Sequence, residues 1–506
     1  MAVKILSATY IGITGQIITV EVDITRGLPS FNMVGLADTS VKEAKERVRS
    51  SIINSGFEFP VRRITINLAP ADIKKEGSLL DLPIAIGILL ATGQIKEKKI
   101  DNLLFIGELS LLGEIKTIKG ALNIALEACD KKIKNIIVPS GNAAECSFVK
   151  KIRINPFSTL LEVVDFIENR IKSNYNYKPE KYISAKKALD FDEVYGQESS
   201  KRALEVAAAG FHNIILYGPP GAGKTMLASR IPSILPKLTY EEALEITQIY
   251  SIVGKLDTKI GIAKERPFRS PHHTSSRIAL VGGGNNLIPG EVTLAHNGVL
   301  FLDEILEFNK SVLEVLRQPI EERYIRISRA AGSVVYPANF MLIAALNPCM
   351  CGFFGTNRQC SCTDFERRRY LKKLSGPLLD RVDLFVSVRG ISFEEINKEH
   401  KNKSSKEIRA RVEHARIIQK NRFIKDGINY NSQMNGVHLK KYCELNVETT
   451  ELMSNIYKMY DLSTRAYSRI LKVARTIADL EGKVNIEKVD LLEALNYRRF
   501  IDEKIV

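Results

Sequence analysis

Within GPPGAGKT (218–225), three glycines, a lysine and a threonine stand at the intervals that a polyphosphate-binding P-loop requires. Gly218, Pro219, Pro220, Gly221, Ala222 and Gly223 supply a tightly folding backbone whose N–H groups can converge on phosphate oxygens. Lys224 would then reach the β- and γ-phosphates of ATP, and Thr225 would offer a hydroxyl to Mg²⁺. Downstream, GVLFLDE (298–304) ends an apolar run in two acids. Asp303 is suited to hold Mg²⁺ through water and Glu304 to polarise an attacking water, which makes the implied chemistry hydrolysis of the terminal phosphate. A second group of reactive side chains is Cys349, Cys351, Cys360 and Cys362, two CxC pairs in one short stretch. Four thiolates can close a tetrahedral zinc site and staple a loop poor in apolar residues; an iron–sulfur cluster and free thiols are the other uses of such a set.

These groups act only if the chain around them puts them at the ends of strands. NIILY (213–217) reads as a strand buried on both faces of a parallel sheet, and TMLASRI after the loop begins a helix whose N-terminus adds positive charge at the phosphates. GVLFL and MLIAALN (341–347) are further strands of the same kind, so the catalytic residues fall at the carboxyl ends of an α/β sheet, where such sheets bind ligands. Before them, ITVEVDI and RRITINLAP alternate with helical stretches such as TSVKEAKERVRSSIINSG, a separate α/β pattern. After them, KEIRARVEHARIIQKNRF and SRILKVARTIADLE carry apolar residues at helical spacing.

A chain of 506 residues exceeds a single core and implies about three domains. A formal charge of +15 points to a polyanionic partner or to solubility alone. Seven cysteines in so long a chain suit a reducing compartment, no apolar run approaches the roughly 18 residues of a membrane span, and the amino terminus lacks a secretory pattern. The expected location is cytoplasmic, without membrane association.

KEGSLLDLPIAIGILLA followed by FIGELSLLGEIKTIKGAL resembles the Lon-protease-type domain at the front of the ComM/YifB proteins, a group of magnesium-chelatase-like AAA+ ATPases. The stretch RPFRSPHHTSSRIALVGGGNNLIPGEVTLAHNGVLFLDE closely resembles that group's signature, and the likeness extends over nearly the whole chain. It implies an inactive Lon-type α+β domain over 1–170, because Leu79 or Leu80 stands where the nucleophilic serine would be and Ser78 is offset by one residue. A linker at 171–190, an AAA+ α/β domain at 191–390 and a helical lid at 391–506 would follow.

Residue by residue, the resemblance implies that Val194, Tyr195 and Gly196 lie beside the adenine and that Asn347 is sensor 1, orienting the lytic water. SGPLLDRVD (375–383) is similar to the arginine-finger segment of chelatases and MCM proteins, so Arg381 would enter the neighbouring subunit's site, or else pair with Asp383. LSTRAYSRILKVARTIADL resembles a sensor 2 helix, with Arg465 as the γ-phosphate contact and Arg469 as its alternative. ISRAAGSVVYPANF is similar to the MCM hairpin that precedes sensor 1, which would aim Arg329 at DNA phosphates, with Arg269, His272 and His273 next in line. The implied activity is that of a homo-hexameric ring hydrolysing ATP to move on single-stranded or branched DNA, as a helicase or branch-migration motor. A chelatase-type motor and a protein remodeller, both acting on a protein partner, are the alternatives.

Overall fold

The computed structural model describes residues 2–35, 39–73, 75, 77–96, 100, 102–173, 175–177, 189–257, 259–284, 287–329, 332–356, 358–391 and 403–498. Most of the expected linker (178–188), the tip of the hairpin (330–331) and the first part of the expected lid (392–402) lie outside the described residues. The chain forms two units, Met1–Ile183 with Thr239–Lys264, and Ser184–Leu238 with Glu265–Val506.

β-Branched residues at every second position make the sheet of the first unit. Val3–Ile11 and Thr14–Thr25 pair antiparallel around Gly12, and Ile18, Val20 and Val22 all point to the core face. The sheet has seven strands in the order Ser30–Val34, Arg63–Ala69, Thr14–Thr25, Val3–Ile11, Leu103–Phe105, Asn135–Pro139 and Arg153–Phe157. Helix Asp81–Ala91 is apolar all round and correspondingly buried, and a Cβ on Gly87 would lie 2.6 Å from Val22, so glycine sets how closely helix and sheet approach. Leu79 and Leu80, the two candidates for the nucleophile position, are core side chains, and the Ser78 hydroxyl bonds to Glu108. Asp81 is buried at the start of this helix, where desolvation raises its carboxyl to about 6 against the opposing pull of Arg47, which grips it through Nε at 2.7 Å and Nη2 at 3.1 Å.

One part of this unit comes from much later in the chain. Helix Tyr240–Val253 starts with a capping box of Thr239 and Glu242, buries Ala243, Ile246, Ile249 and Ile252, and lies on helix Ala121–Asp130. Its Ser251 carbonyl accepts from Gly120 N at 3.2 Å, and Leu244 packs against the first unit's core. Within the stretch 191–390 expected as the ATPase domain, 239–264 groups with the amino-terminal sheet.

In the second unit five short strands with almost no polar side chain stack in parallel, in the order Phe268–Arg269, Val299–Leu302, Met341–Leu346, Ile214–Tyr217 and Leu384–Ser387. The strand that comes first in the chain therefore sits between the last two, a switch in connection that opens a crevice at the strands' carboxyl ends. Helices Ser405–Arg422, Gly436–Tyr442, Val447–Met459, Thr464–Leu480 and Lys488–Asn496 follow, and one hydrophobic cluster runs from Phe191 through the sheet to Tyr497. Thr464–Leu480 is buried along most of its length and packs on Glu198–Gly210. Among the described residues no helix is long and apolar enough to cross a membrane.

Candidate active site

The strand Ile214–Tyr217 runs directly into the P-loop, and a Cβ on Gly218 would stand 2.0 Å from the Val388 carbonyl oxygen, so only glycine lets the chain leave the sheet there. Gly221 and Gly223 take positive φ, and helix Lys224–Ile234 starts immediately after them. Lys224 Nζ donates to the carbonyls of Gly218 at 2.6 Å and Pro219 at 2.9 Å and to Asn347 Oδ1 at 3.0 Å. The expected sensor 1 residue thus meets the P-loop lysine although 123 positions separate them. Thr225 Oγ1 donates to Asp303 Oδ2 at 2.7 Å, and Asp303 Oδ1 accepts the Glu304 N–H at 3.0 Å. Glu304 itself has φ 47°, a left-handed turn at the end of Val299–Leu302 that leaves its side chain exposed beside the loop.

These residues line one cleft of about 380 Å³, formed by Pro220 to Met226 together with Asp303, Glu304 and Asn347. Burial pushes the Lys224 ammonium below the usual lysine range, against the opposing pull of Asp303 and Glu304. A desolvated cation whose present acceptors are two neutral carbonyls and an amide would gain from phosphate oxygens, which accept more strongly. The donor set fits a nucleotide triphosphate with Mg²⁺: Lys224 and the loop backbone for phosphate, Thr225 and Asp303 for the ion. When bound, the ion would neutralise charge that develops on the transferring phosphoryl group.

Val194 is fully buried, Tyr195 is 49% exposed, and Gly196 and Gln197 both have positive φ. Gln197 was not singled out from the sequence. Its Nε2 donates to the carbonyls of Ala222 in the P-loop (3.4 Å) and Arg389 (2.5 Å), and Ser200 Oγ holds its Oε1. The signal for it was faint, a lone amide before ESS at the start of a helix.

The three arginines expected to act on the γ-phosphate lie elsewhere. Arg381, which follows the short helix Gly376–Leu379, pairs with Glu321 and donates to Pro377 O at 2.6 Å. The ion pair with Asp383 is not formed, because Asp383 is buried and already engaged: Arg469 bonds to it, His212 Nδ1 lies 3.3 Å away, and Asn213 N donates to it. Together these partners hold the Asp383 carboxyl far below the usual carboxylate range in spite of its burial. Arg465 stands 3.6 Å from Asp380, next to Arg381, and is absent from the residues that line the P-loop cleft. Arg469, the alternative sensor 2 residue, bonds to Asp383, and Arg465 stands beside the finger segment, so neither lines the P-loop cleft of this chain.

The four cysteine sulfurs all lie within 4.8 Å of one another, with Cys349 to Cys351 at 3.3 Å, Cys349 to Cys360 at 3.7 Å and Cys351 to Cys360 at 3.5 Å. A tetrahedron with metal–sulfur bonds of about 2.3 Å has edges of about 3.8 Å, so this is the scale of a single ion. The Phe353 backbone N–H lowers the Cys351 thiol below the usual cysteine range, which favours the thiolate that a metal ion binds. The loop abuts the nucleotide cleft, since a Cβ on Gly352 would lie 2.6 Å from Pro220.

Of the residues expected to meet DNA, Arg269 is committed elsewhere. Its Nε and Nη2 clasp Glu291 at 2.6 and 2.7 Å, because the strand end Phe268–Arg269 faces the start of the helix Glu291–Leu294. His272 and His273 stack on each other with ring centres 4.1 Å apart, and His272 Nδ1 contacts Thr274 Oγ1 at 2.8 Å. Arg329 is exposed at the end of the hairpin Tyr324–Arg329 and Gly332–Pro337, opposite Gly332.

A P-loop followed by an acidic pair two strands away, an asparagine at the end of the intervening strand and a helical lid on the same core define an AAA+ protein. Family models agree: "Magnesium chelatase, subunit ChlI" matches 190–396, "Subunit ChlI of Mg-chelatase" matches 20–142, and "Magnesium chelatase, subunit ChlI C-terminal" matches 402–498. The chain is 44% identical to the protein YifB of Salmonella typhimurium over 96% of its own length and 95% of that protein's, and 42% identical to the competence protein ComM of Haemophilus influenzae over 98% and 97%. It is also 31% identical to Lon protease 2 of Bacillus subtilis over 28% of its length and 26% of the protease. The chain belongs to the ComM/YifB family of magnesium-chelatase-like AAA+ proteins.

Proposed function

We propose that this protein is a cytoplasmic motor that assembles as a homo-hexameric ring, hydrolyses ATP with Mg²⁺ and uses the energy to move on single-stranded or branched DNA. The observation that carries the ATPase half is the meeting of Lys224, Asn347, Thr225, Asp303 and Glu304 on one cleft. In this reading Lys224 and the loop bind phosphate, Asn347 and Glu304 orient and polarise water, and Arg381 of each subunit completes the next subunit's site. The DNA half is supported by the likeness to the competence protein ComM, by the charge of +15 and by a basic hairpin. The test is phosphate release with and without single-stranded, duplex and branched DNA, in low and physiological salt. Stimulation by DNA is expected, strongest with the structure on which the motor moves. Stimulation only by added protein fractions, with no response to any DNA, would favour a chelatase-type or remodelling motor.

The cysteine knuckle, on this reading, holds one structural zinc that fixes the loop between Asn347 and helix Asp364–Leu371. Purified, reduced protein should carry one zinc per subunit by metal analysis, and the Cys351→Ser, Cys360→Ser double variant should carry none, because two ligands cannot replace four. Metal-free wild-type protein, freshly prepared, would overturn the assignment.

A further inference from the structure

Asn213 stands immediately before the strand Ile214–Tyr217, and each of its polar groups is bonded to chain that is distant in sequence. Its carbonyl accepts from Asp383 N at 3.0 Å and Leu384 N at 3.1 Å, and its N–H donates to Asp383 Oδ2 at 3.1 Å. The side-chain amide reaches both ways: Nδ2 donates to the Arg381 carbonyl at 3.1 Å, and Oδ1 accepts from Leu342 N at 2.9 Å. This half-buried residue thus ties the starts of three adjacent strands, Met341–Leu346, Ile214–Tyr217 and Leu384–Ser387, to the segment that carries Arg381.

Because the strands are parallel, these ties lie at the edge of the sheet opposite the nucleotide cleft. A strand rise of about 3.3 Å per residue puts about 16 Å between Asn213 and Gly218, so the Arg381 backbone, bonded to Asn213, is held away from its own P-loop. The segment is fixed on a further side, since Asp383 is buried and Arg469 bonds to it. The Arg381 guanidinium is less settled than its backbone. It pairs with Glu321 and donates to the Pro377 carbonyl, but its Nε is buried without an acceptor among the described residues. An unmet buried N–H is costly, which favours rotation of the side chain toward an anion that takes the whole fork.

We propose that Asn213 is a positioning residue for the arginine finger: its amide sets where the Arg381 backbone stands, and so how the finger meets the nucleotide of the neighbouring subunit. The inference rests on the reading of Arg381 as a finger that acts in trans, and adds to it the residue that aims the finger. If the two amide bonds only held strand ends together, losing them would harm the site of the subunit that carries the change. A positioning role harms the neighbour's site instead.

The experiment measures phosphate release by full-length protein in rings made from two kinds of subunit and shown to mix by copurification of two tags. Arg381→Ala subunits keep a P-loop and lack a finger, whereas Lys224→Ala subunits keep a finger and lack a working P-loop, so the mixture recovers ATPase where the second kind serves the first. Asn213→Ala is then added to one kind at a time. On the Lys224→Ala subunit, which donates the finger, it should lower the recovered rate at least about tenfold, since a misplacement of about 1 Å costs up to about a hundredfold. On the Arg381→Ala subunit, which owns the working P-loop, it should leave the recovered rate within about twofold, and that activity also shows that subunits with Asn213→Ala fold. In a uniform ring Asn213→Ala alone should lower kcat at least about tenfold with the dissociation constant for ATP unchanged. Recovery that is unaffected by Asn213→Ala on either kind, lowered equally on both, or lowered only on the owner of the P-loop overturns the proposal and leaves the finger reading standing. If the mixture without Asn213→Ala recovers nothing, the finger reading and the proposal fall together.

Discussion

Glu304→Gln protein should hold ATP as tightly as the parent and hydrolyse it at least about a hundredfold more slowly, whereas Lys224→Ala protein should scarcely bind ATP. The difference follows from where the two groups sit. Lys224 is buried against the loop carbonyls, and its ammonium lies where phosphate oxygens arrive. Glu304 is exposed at the rim, carried there by its left-handed backbone, and its carboxylate is free to polarise a water once nucleotide fills the cleft. Glutamine preserves the shape and removes the charge, so binding survives and turnover does not. Fluorescent-nucleotide titration and a phosphate-release assay separate the two effects. Normal hydrolysis by Glu304→Gln would remove it from the catalytic role.

A comparable loss, about 10³-fold or more, is expected from Arg381→Ala, and it should be partly reversible by mixing with Lys224→Ala protein. A finger stabilises charge on the γ-phosphate of a neighbour, so a mixed ring contains sites that pair an intact P-loop with an intact finger although each parent ring has none. In the single chain Arg381 is latched to Glu321 and to the Pro377 carbonyl. Were that latch its whole purpose, Glu321→Gln would be as damaging as Arg381→Ala; in the finger reading Glu321→Gln retains most activity. Rings shown to mix that recover no ATPase would rule out action in trans.

The strands that carry this site are legible in sequence because a buried parallel strand must be apolar on both faces, and few sequences besides NIILY, GVLFL and MLIAAL meet that demand. The loop after the first is legible because its glycines and lysine are fixed by phosphate geometry. Tertiary choices were not legible. Helix Tyr240–Val253 shows a clear apolar face, but periodicity announces that a face will be covered and says nothing of what covers it. Arg269 and Arg277 are equally basic in sequence, and only the position of Glu291 decides that the first is neutralised while the second is not. Gln197 escaped notice because a single amide has no pattern, and its importance lies in two carbonyls that reach it from distant parts of the chain.

The excursion of 239–264 into the first unit has a practical bearing on dissecting the molecule. The polypeptide passes between the units three times, at 183/184, 238/239 and 264/265, so after a single proteolytic cut within 178–188 the fragment before the cut is held only by its packing on 239–264, which stays in the other fragment. A recombinant fragment ending at 183 would lack the helix that covers Ala121–Asp130 and would present that surface bare to solvent, a recipe for aggregation rather than for an isolated domain. A faithful excised first unit has to be built as a fusion, with 239–264 spliced back through an added linker. The motor, conversely, becomes a free-standing piece only when that excursion is replaced by a short bridge from 238 to 265.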